Sequence, residues 1–98
     1  MKRITFHQDA RAELLESAHY YEERNQGLGQ SFIDDVEAAI DEIQQNPHAC
    51  ALVSSELRRK IIRRFPFGLL YVEESDRIRI IAVAHFKRRP EYWRDRLS

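Results

Sequence analysis

The hydrophobic period of this chain changes once, and that change limits the folds open to it. Up to Asn46-Pro47 the apolar residues recur at helical spacing; from Leu57 onward they follow the pattern of β-strands. Ala10 to about Arg24 carries Leu14, Ala18 and Tyr21 at i, i+4 and i+7, flanked by Leu15, with Asp9 placed to cap the helix. Asn25-Gln26-Gly27-Leu28-Gly29 breaks it. A second helix is expected from about Gln30 to Gln45, with Phe32, Val36, Ala39, Ile40 and Ile43 on one stripe, and Pro47 cannot continue it. So short a connection predicts an antiparallel helical hairpin.

The strands read as Lys2–Phe6, Leu57–Phe65, Phe67–Glu74 and Arg77–Phe86, with Pro66-Phe67-Gly68 and Glu74-Ser75-Asp76-Arg77 as hairpin turns. In the last strand, strict alternation places Ile78, Ile80, Ala82, Ala84 and Phe86 on one face. Arg77, Arg79, Ile81, Val83 and His85 then take the other. Residues 48–56 form a loop with little pattern. Pro90 suits the first turn of a short terminal helix holding Tyr92, Trp93 and Arg96. The expected fold is α+β, in the order β-α-α-β-β-β, with a helical hairpin packed on an antiparallel sheet. Its 98 residues make a single domain, 1–98.

The formal net charge is zero, but the signs are separated. Residues 1–56 hold four Lys/Arg against eleven Asp/Glu, net −7; residues 57–98 hold twelve against five, net +7. Such asymmetry bears on partners more than on fold, and predicts a surface that attracts something acidic. No apolar run is long enough for a membrane span, and no signal-peptide core follows the N-terminus. Cys50 is a single cysteine, and no Cys/His cluster has metal-site spacing. A cytoplasmic protein is the expectation, with Cys50 as a small buried or half-buried residue.

Two clusters are candidates for chemistry. The first is the basic strand Arg58, Arg59, Lys60, Arg63 and Arg64. Alternation puts Arg58, Lys60 and Arg64 on one face and Arg59 and Arg63 on the other. Two readings stay open: a sheet edge defended by cations, or a contact surface for phosphates or acidic peptide. The second is the terminal cluster of His85, Lys87, Arg88, Arg89, Tyr92, Trp93, Arg94 and Arg96. Its cations can neutralise phosphates and its rings can stack on unpaired bases. His85 is also chemically suited to act as a general base on a ribose hydroxyl. The competing reading makes His85 a strand-end residue and packs Tyr92 and Trp93 on the sheet. Tyr21 reads as core and His19 as solvent-facing. Gly27-Leu28-Gly29 lacks the rest of a phosphate loop, and Glu22-Glu23, Asp34-Asp35 and Glu73-Glu74 read as solvated charges.

One ordered set of residues carries a resemblance. It begins with Ala12-Glu13-Leu14, Ala18-His19-Tyr20-Tyr21, Gly27-Leu28-Gly29, Phe32 and Pro47. It continues through Arg64-Phe65-Pro66-Phe67, Leu70-Tyr71, Ile80-Ile81-Ala82-Val83-Ala84-His85, Arg88-Arg89-Pro90 and Tyr92-Trp93. Together they resemble the RelE/ParE superfamily of bacterial toxins from type II toxin–antitoxin modules, over nearly the whole chain. Phe65-Pro66-Phe67 and Val83-Ala84-His85 with the following arginines look more like the ParE branch. So does Gly68, where RelE ribonucleases tend to carry an arginine.

The resemblance implies growth inhibition, plasmid stabilization, and neutralisation by a cognate antitoxin whose flexible tail folds on the toxin as a hetero-oligomer. For the ParE branch it implies DNA gyrase as target, with no catalysis, cofactor or metal. For the RelE branch it implies a metal-independent ribonuclease acting on messenger RNA in the ribosome, with His85, Arg88 and Tyr92 as catalytic candidates. The binding surface expected in either branch is Arg58, Lys60, Arg63, Arg64, Lys87, Arg88, Arg89, Trp93 and Arg96. An inactive relative that only binds an antitoxin is a third reading.

Overall fold

The computed structural model describes residues 1–97. The element order is β1 (Arg3–Phe6), α1 (Gln8–Arg24), α2 (Leu28–Gln45), β2 (Leu57–Ile61), β3 (Phe67–Glu73) and β4 (Arg77–His85), then a 3-10 turn at Arg94–Leu97. The two helices cover one face of a four-stranded sheet whose order is β1-β4-β3-β2. The β-α-α-β-β-β arrangement is the expected one, with one difference: the sheet is mixed. β2, β3 and β4 are antiparallel, while β1 pairs with β4 in parallel, from Arg3↔Arg77 to Phe6↔Ile80. β4 lies two reversals after β2 and therefore runs in the same direction as β2. The helical hairpin returns the chain so that β1 and β2 also share a direction, and β1 meets β4 in parallel.

The α1 cap also differs from expectation. His7, not Asp9, is the N-cap, and its Nδ1 accepts the Asp9 amide at 3.0 Å. α2 begins two residues early because the Glu22 carboxylate accepts the amides of both Gly27 and Gly29, at 3.0 Å each, and holds the turn closed. Gly29 is required by close approach: a Cβ there would lie 2.5 Å from the Ala18 carbonyl oxygen. Its absence lets α2 nest against α1.

The stripe Phe32, Val36, Ala39 and Ile43 is buried against Leu69, Tyr71, Ile78, Ile80 and Val83. Tyr21 joins Phe32, Phe65 and Phe67 in an aromatic cluster with centroids 4.8–6.2 Å apart. Burial raises its phenol pKa, as expected for a core tyrosine. Leu15, expected beside the stripe, is 55% exposed, and Cys50 is half-buried. The 48–56 segment is more ordered than its sequence suggests. Ala51 accepts the Arg59 amide, and Val53 donates to Leu57, so this stretch covers part of the outer edge of β2.

β4 does not alternate strictly. The register runs Leu70↔Ala82 and then Tyr71↔Ile80, so Ile81 is an extra residue, a β-bulge. The bulge inverts the facing pattern partway along the strand. Ile78, Ile80 and Val83 face the helices, while Ile81 and Ala82 both face the opposite side. The expected grouping of Ile80 with Ala82, and of Ile81 with Val83, is therefore corrected.

Candidate functional site

A second, smaller core lies on the sheet face away from the helices. Leu57, Leu70, Val72, Ile81 and Ala82 are buried there beneath Tyr92, Trp93 and Leu97. The terminal segment folds across this face through turns at Arg88, Tyr92 and Arg94, with Glu91 in the left-handed region at φ 60°. Pro90 does not start a helix; the helical turn is delayed to Arg94–Leu97. Tyr92 and Trp93 pack on the sheet, as one of the two sequence readings had it.

One carboxylate holds this segment down. Glu13, from α1, accepts the Val83 amide at 2.9 Å, the Tyr92 hydroxyl at 2.9 Å, and both terminal nitrogens of Arg96 at 2.9 Å. Arg96 Nη1 also donates to the Ile81 carbonyl at 3.2 Å. β1 ends at Phe6, so Ile81 and Val83 lie beyond its reach along the β4 edge. The Glu13–Arg96 pair satisfies these two backbone groups in place of a strand. The Arg96 guanidinium is held charged chiefly by its hydrogen bonds to Glu13. The Tyr92 hydroxyl is pushed well above the ordinary phenol range by burial, reinforced by the Glu13 carboxylate.

Between the terminal segment and the sheet runs a groove of about 270 Å³. Gly68, Leu70 and Ala84 form its floor, Phe86, Tyr92 and Trp93 its wall, and Arg59, Arg88 and Arg89 contribute its cations. Gly68 has a specific part in this. A Cβ there would meet the Arg59 side chain at 3.1 Å, so the missing side chain gives the Arg59 stem its path across β3. Arg88 lies over the Tyr92 ring, 3.8 Å from its centroid, and its guanidinium is 3.9 Å from Glu13.

The sequence-predicted cations divide into three groups. Some are engaged in the fold. Arg58 donates to the Cys50 and His48 carbonyls at 2.6 and 3.3 Å, Lys60 is 3.5 Å from Glu42, and Arg96 is held by Glu13. Arg64, in the left-handed region at φ 66°, makes a two-point pair with Asp35 at 2.9 Å; the hydrogen bond from Arg64 lowers the Asp35 pKa. Arg88 and Arg89 reach the groove, with Trp93 in its wall. Arg63 and Lys87 are exposed outside it. Part of the charge separation thus acts within the molecule, as Lys60, Arg64 and Arg96 of the basic half pair with Glu42, Asp35 and Glu13 of the helices.

The three catalytic candidates His85, Arg88 and Tyr92 all line the groove, but the His85 ring is turned toward the helix side. The His85 ring packs edge-on against Phe67, 5.0 Å between centroids, within the helix-facing layer, and its Nδ1 accepts the Lys87 amide. Tyr92 and Arg88 lie together on the opposite side.

Sequence reasoning missed two residues of this region. Arg59 was recognised only as part of a charge run; its parity opposite Arg58 and Lys60, and the neighbouring Gly68, were the signals that single it out. Glu13 had no local signal, because its partners lie 70 to 83 residues away.

Two helices laid across a small mixed sheet, with a basic groove behind it, define the class of RelE/ParE-like toxin folds. One solved structure that the fold matches is a chain of the chromosomal ParDE TA system from P. aeruginosa. It has a TM-score of 0.69 at 16% identity, covering 87% of this chain and 96% of that one. The family model for the ParE toxin of the type II toxin–antitoxin system parDE matches residues 4–90, and the chain belongs to this family. No curated protein matches the sequence. No described helix is long and apolar enough to cross a membrane.

Proposed function

We propose that this ParE-family toxin arrests growth by docking on DNA gyrase through the groove, without catalysis, and that a cognate antitoxin neutralises it by covering the same surface. The carrying observation is the groove itself: an apolar floor with Arg59, Arg88 and Arg89 around it. Such a surface suits a protein partner that brings carboxylates to the rim and apolar side chains to the floor. The candidate acid–base groups favour this reading over RNA cleavage. The Tyr92 hydroxyl is committed as a donor to Glu13, and the His85 ring lies across the sheet from it. A general base needs a free lone pair to take a proton, and although both side chains line the groove, His85 Nδ1 already accepts the Lys87 amide and Tyr92 is held by Glu13.

The test is induction of the chain alone, with purified protein added to a gyrase supercoiling assay. Wild type should inhibit supercoiling, and Arg59→Glu combined with Arg89→Glu should abolish inhibition while the thermal melt stays unchanged. Growth arrest with unaffected gyrase and new mRNA ends would reject the gyrase reading in favour of the ribonuclease. Normal growth without antitoxin would leave a partner-binding relative only.

A further inference from the structure

A second recess lies on the opposite side of β4 from the groove, where the end of the sheet meets the second half of α1. It measures about 410 Å³ and is lined by Glu16, Ser17, Tyr20, Tyr21, Phe67 and His85. The helical period explains the grouping: Glu16 and Tyr20 share one α1 stripe, Ser17 and Tyr21 the adjacent one. Phe67 opens β3 and pairs in register with His85, which closes β4.

The four rings meet edge to face. Tyr20 and Tyr21 cross at 78°, Tyr21 and Phe67 at 68°, and Phe67 and His85 at 79°, with centroids 5.0–6.2 Å apart. Crossed rings leave π-faces uncovered where parallel stacking would occlude them. The Tyr20 ring is half-exposed, and already accepts a guanidinium: Arg24 lies 4.6 Å from its centroid. Glu16 supplies an exposed carboxylate beside these rings, and makes no hydrogen bond or ion pair among the described residues. Aromatic faces and one free carboxylate are the chemistry that recognises an organic cation.

We propose that this recess is a binding site for an arginine side chain presented by a partner protein, separate from the basic groove. The planar guanidinium can lie on the Tyr20 or Tyr21 ring while donating to Glu16 and to the Ser17 hydroxyl. Charge complementarity supports this choice of occupant. The first 56 residues carry net −7, and the helical layer they build presents Glu16 and Glu23 on the exposed side of α1. A partner spanning both sites would bring carboxylates to one face of β4 and an arginine to the other. The inference does not depend on which macromolecule the toxin inhibits.

The test is an NMR titration of the full chain with a short acetylated, amidated Gly-Arg-Gly peptide, against the same peptide carrying citrulline, the neutral isostere. The expected result is arginine-dependent shifts at Glu16, Ser17, Tyr20, Tyr21 and Phe67; His85 lines both the recess and the groove and does not decide between them. Affinity should fall roughly fivefold in Tyr20→Leu and in Glu16→Gln, the scale of an exposed cation–π contact or ion pair. Both positions are solvent-exposed, so both variants should keep the wild-type melting temperature. Equal binding of the citrulline peptide, or shifts confined to the groove, would overturn the proposal. Sedimentation of the free chain completes the test. Self-association that disappears in Tyr20→Leu would overturn the assignment to a partner protein and give the recess to a second copy; a monomer at all concentrations supports it.

Discussion

Replacing Glu13 with alanine should release the terminal segment, and the expected cost can be worked from the contacts it makes. The substitution leaves the Arg96 guanidinium without its main partner. It also orphans the Val83 amide and the Tyr92 hydroxyl. The Glu13 and Arg96 side chains are each only 12% exposed, so water restores little of what is lost. Removing one partner of a buried pair costs roughly 3–5 kcal/mol, and incomplete burial places this case near the lower end. The lost amide bond adds about 1 kcal/mol, giving a total of about 3–4 kcal/mol. For a domain of this size that corresponds to a fall in Tm of roughly 12–25 °C. Circular dichroism melts give the global value, and amide exchange over residues 86–97 gives the local one. The reasoning also sets the sign for a double variant. Because the loss comes from a stranded charge, Glu13→Leu with Arg96→Met should be at least as stable as Glu13→Leu alone. A Tm change under about 3 °C for Glu13→Ala, less than about 1 kcal/mol on the same scale, would refute the argument. So would a double variant less stable than the single one.

Three further outcomes are expected. Gly29→Ala places its methyl 2.5 Å from the Ala18 carbonyl oxygen, a backbone atom that cannot swing aside, so it should destabilise the hairpin by roughly 1–3 kcal/mol in urea melts. Gly68→Val should displace the Arg59 stem from the groove and lower inhibitory potency more than it lowers Tm; equal losses would mean that Gly68 serves only the fold. Asp35, Glu73 and Glu74 have lowered pKa values, chiefly through hydrogen bonds from Arg64, Lys2 and Arg77 respectively. Depressed carboxylate values stabilise the native state above the unfolded values of about 4 and lose that effect as pH falls through the folded ones. Tm should therefore hold through neutral pH and fall in acid, with a shallower acid slope in Asp35→Asn.

The parts of this fold that were legible in sequence are those set by local periodicity. The α2 stripe from Phe32 to Ile43 is long and regular, Pro47 closes the helix, and the turn at Ser75-Asp76 falls where expected. The other hairpin does not: β2 ends at Ile61 and not at Phe65, residues 62–66 make the connection, and Phe67 and Gly68 already pair within β3. The errors lie where a distant contact decides a local outcome. The α1 cap is the local exception: His7 takes it, with its Nδ1 accepting the Asp9 amide two residues on. β1 joins β4 in parallel through a pairing that spans most of the chain. The charge separation was visible, but its division into internal pairs and free cations was not, since Arg64–Asp35 and Arg96–Glu13 each join the two halves. At the groove, Arg88, Arg89, Tyr92 and Trp93 were named correctly as a cluster. Alternation alone assigned faces along β4, and a single inserted residue defeated it.

That inserted residue makes strand length at this point a local matter. Ile81 is the one interior position of β4 without a register partner on β3, so chain length there is free to change without breaking the rungs on either side. Removing it would join Ile80 to Ala82 in strict alternation and leave Val83 opposite Leu69 and His85 opposite Phe67, each on its present face. What the extra residue supplies is apolar cover: Ile81 and Ala82 lie side by side beneath the terminal segment, where a regular strand would offer that face only one of them.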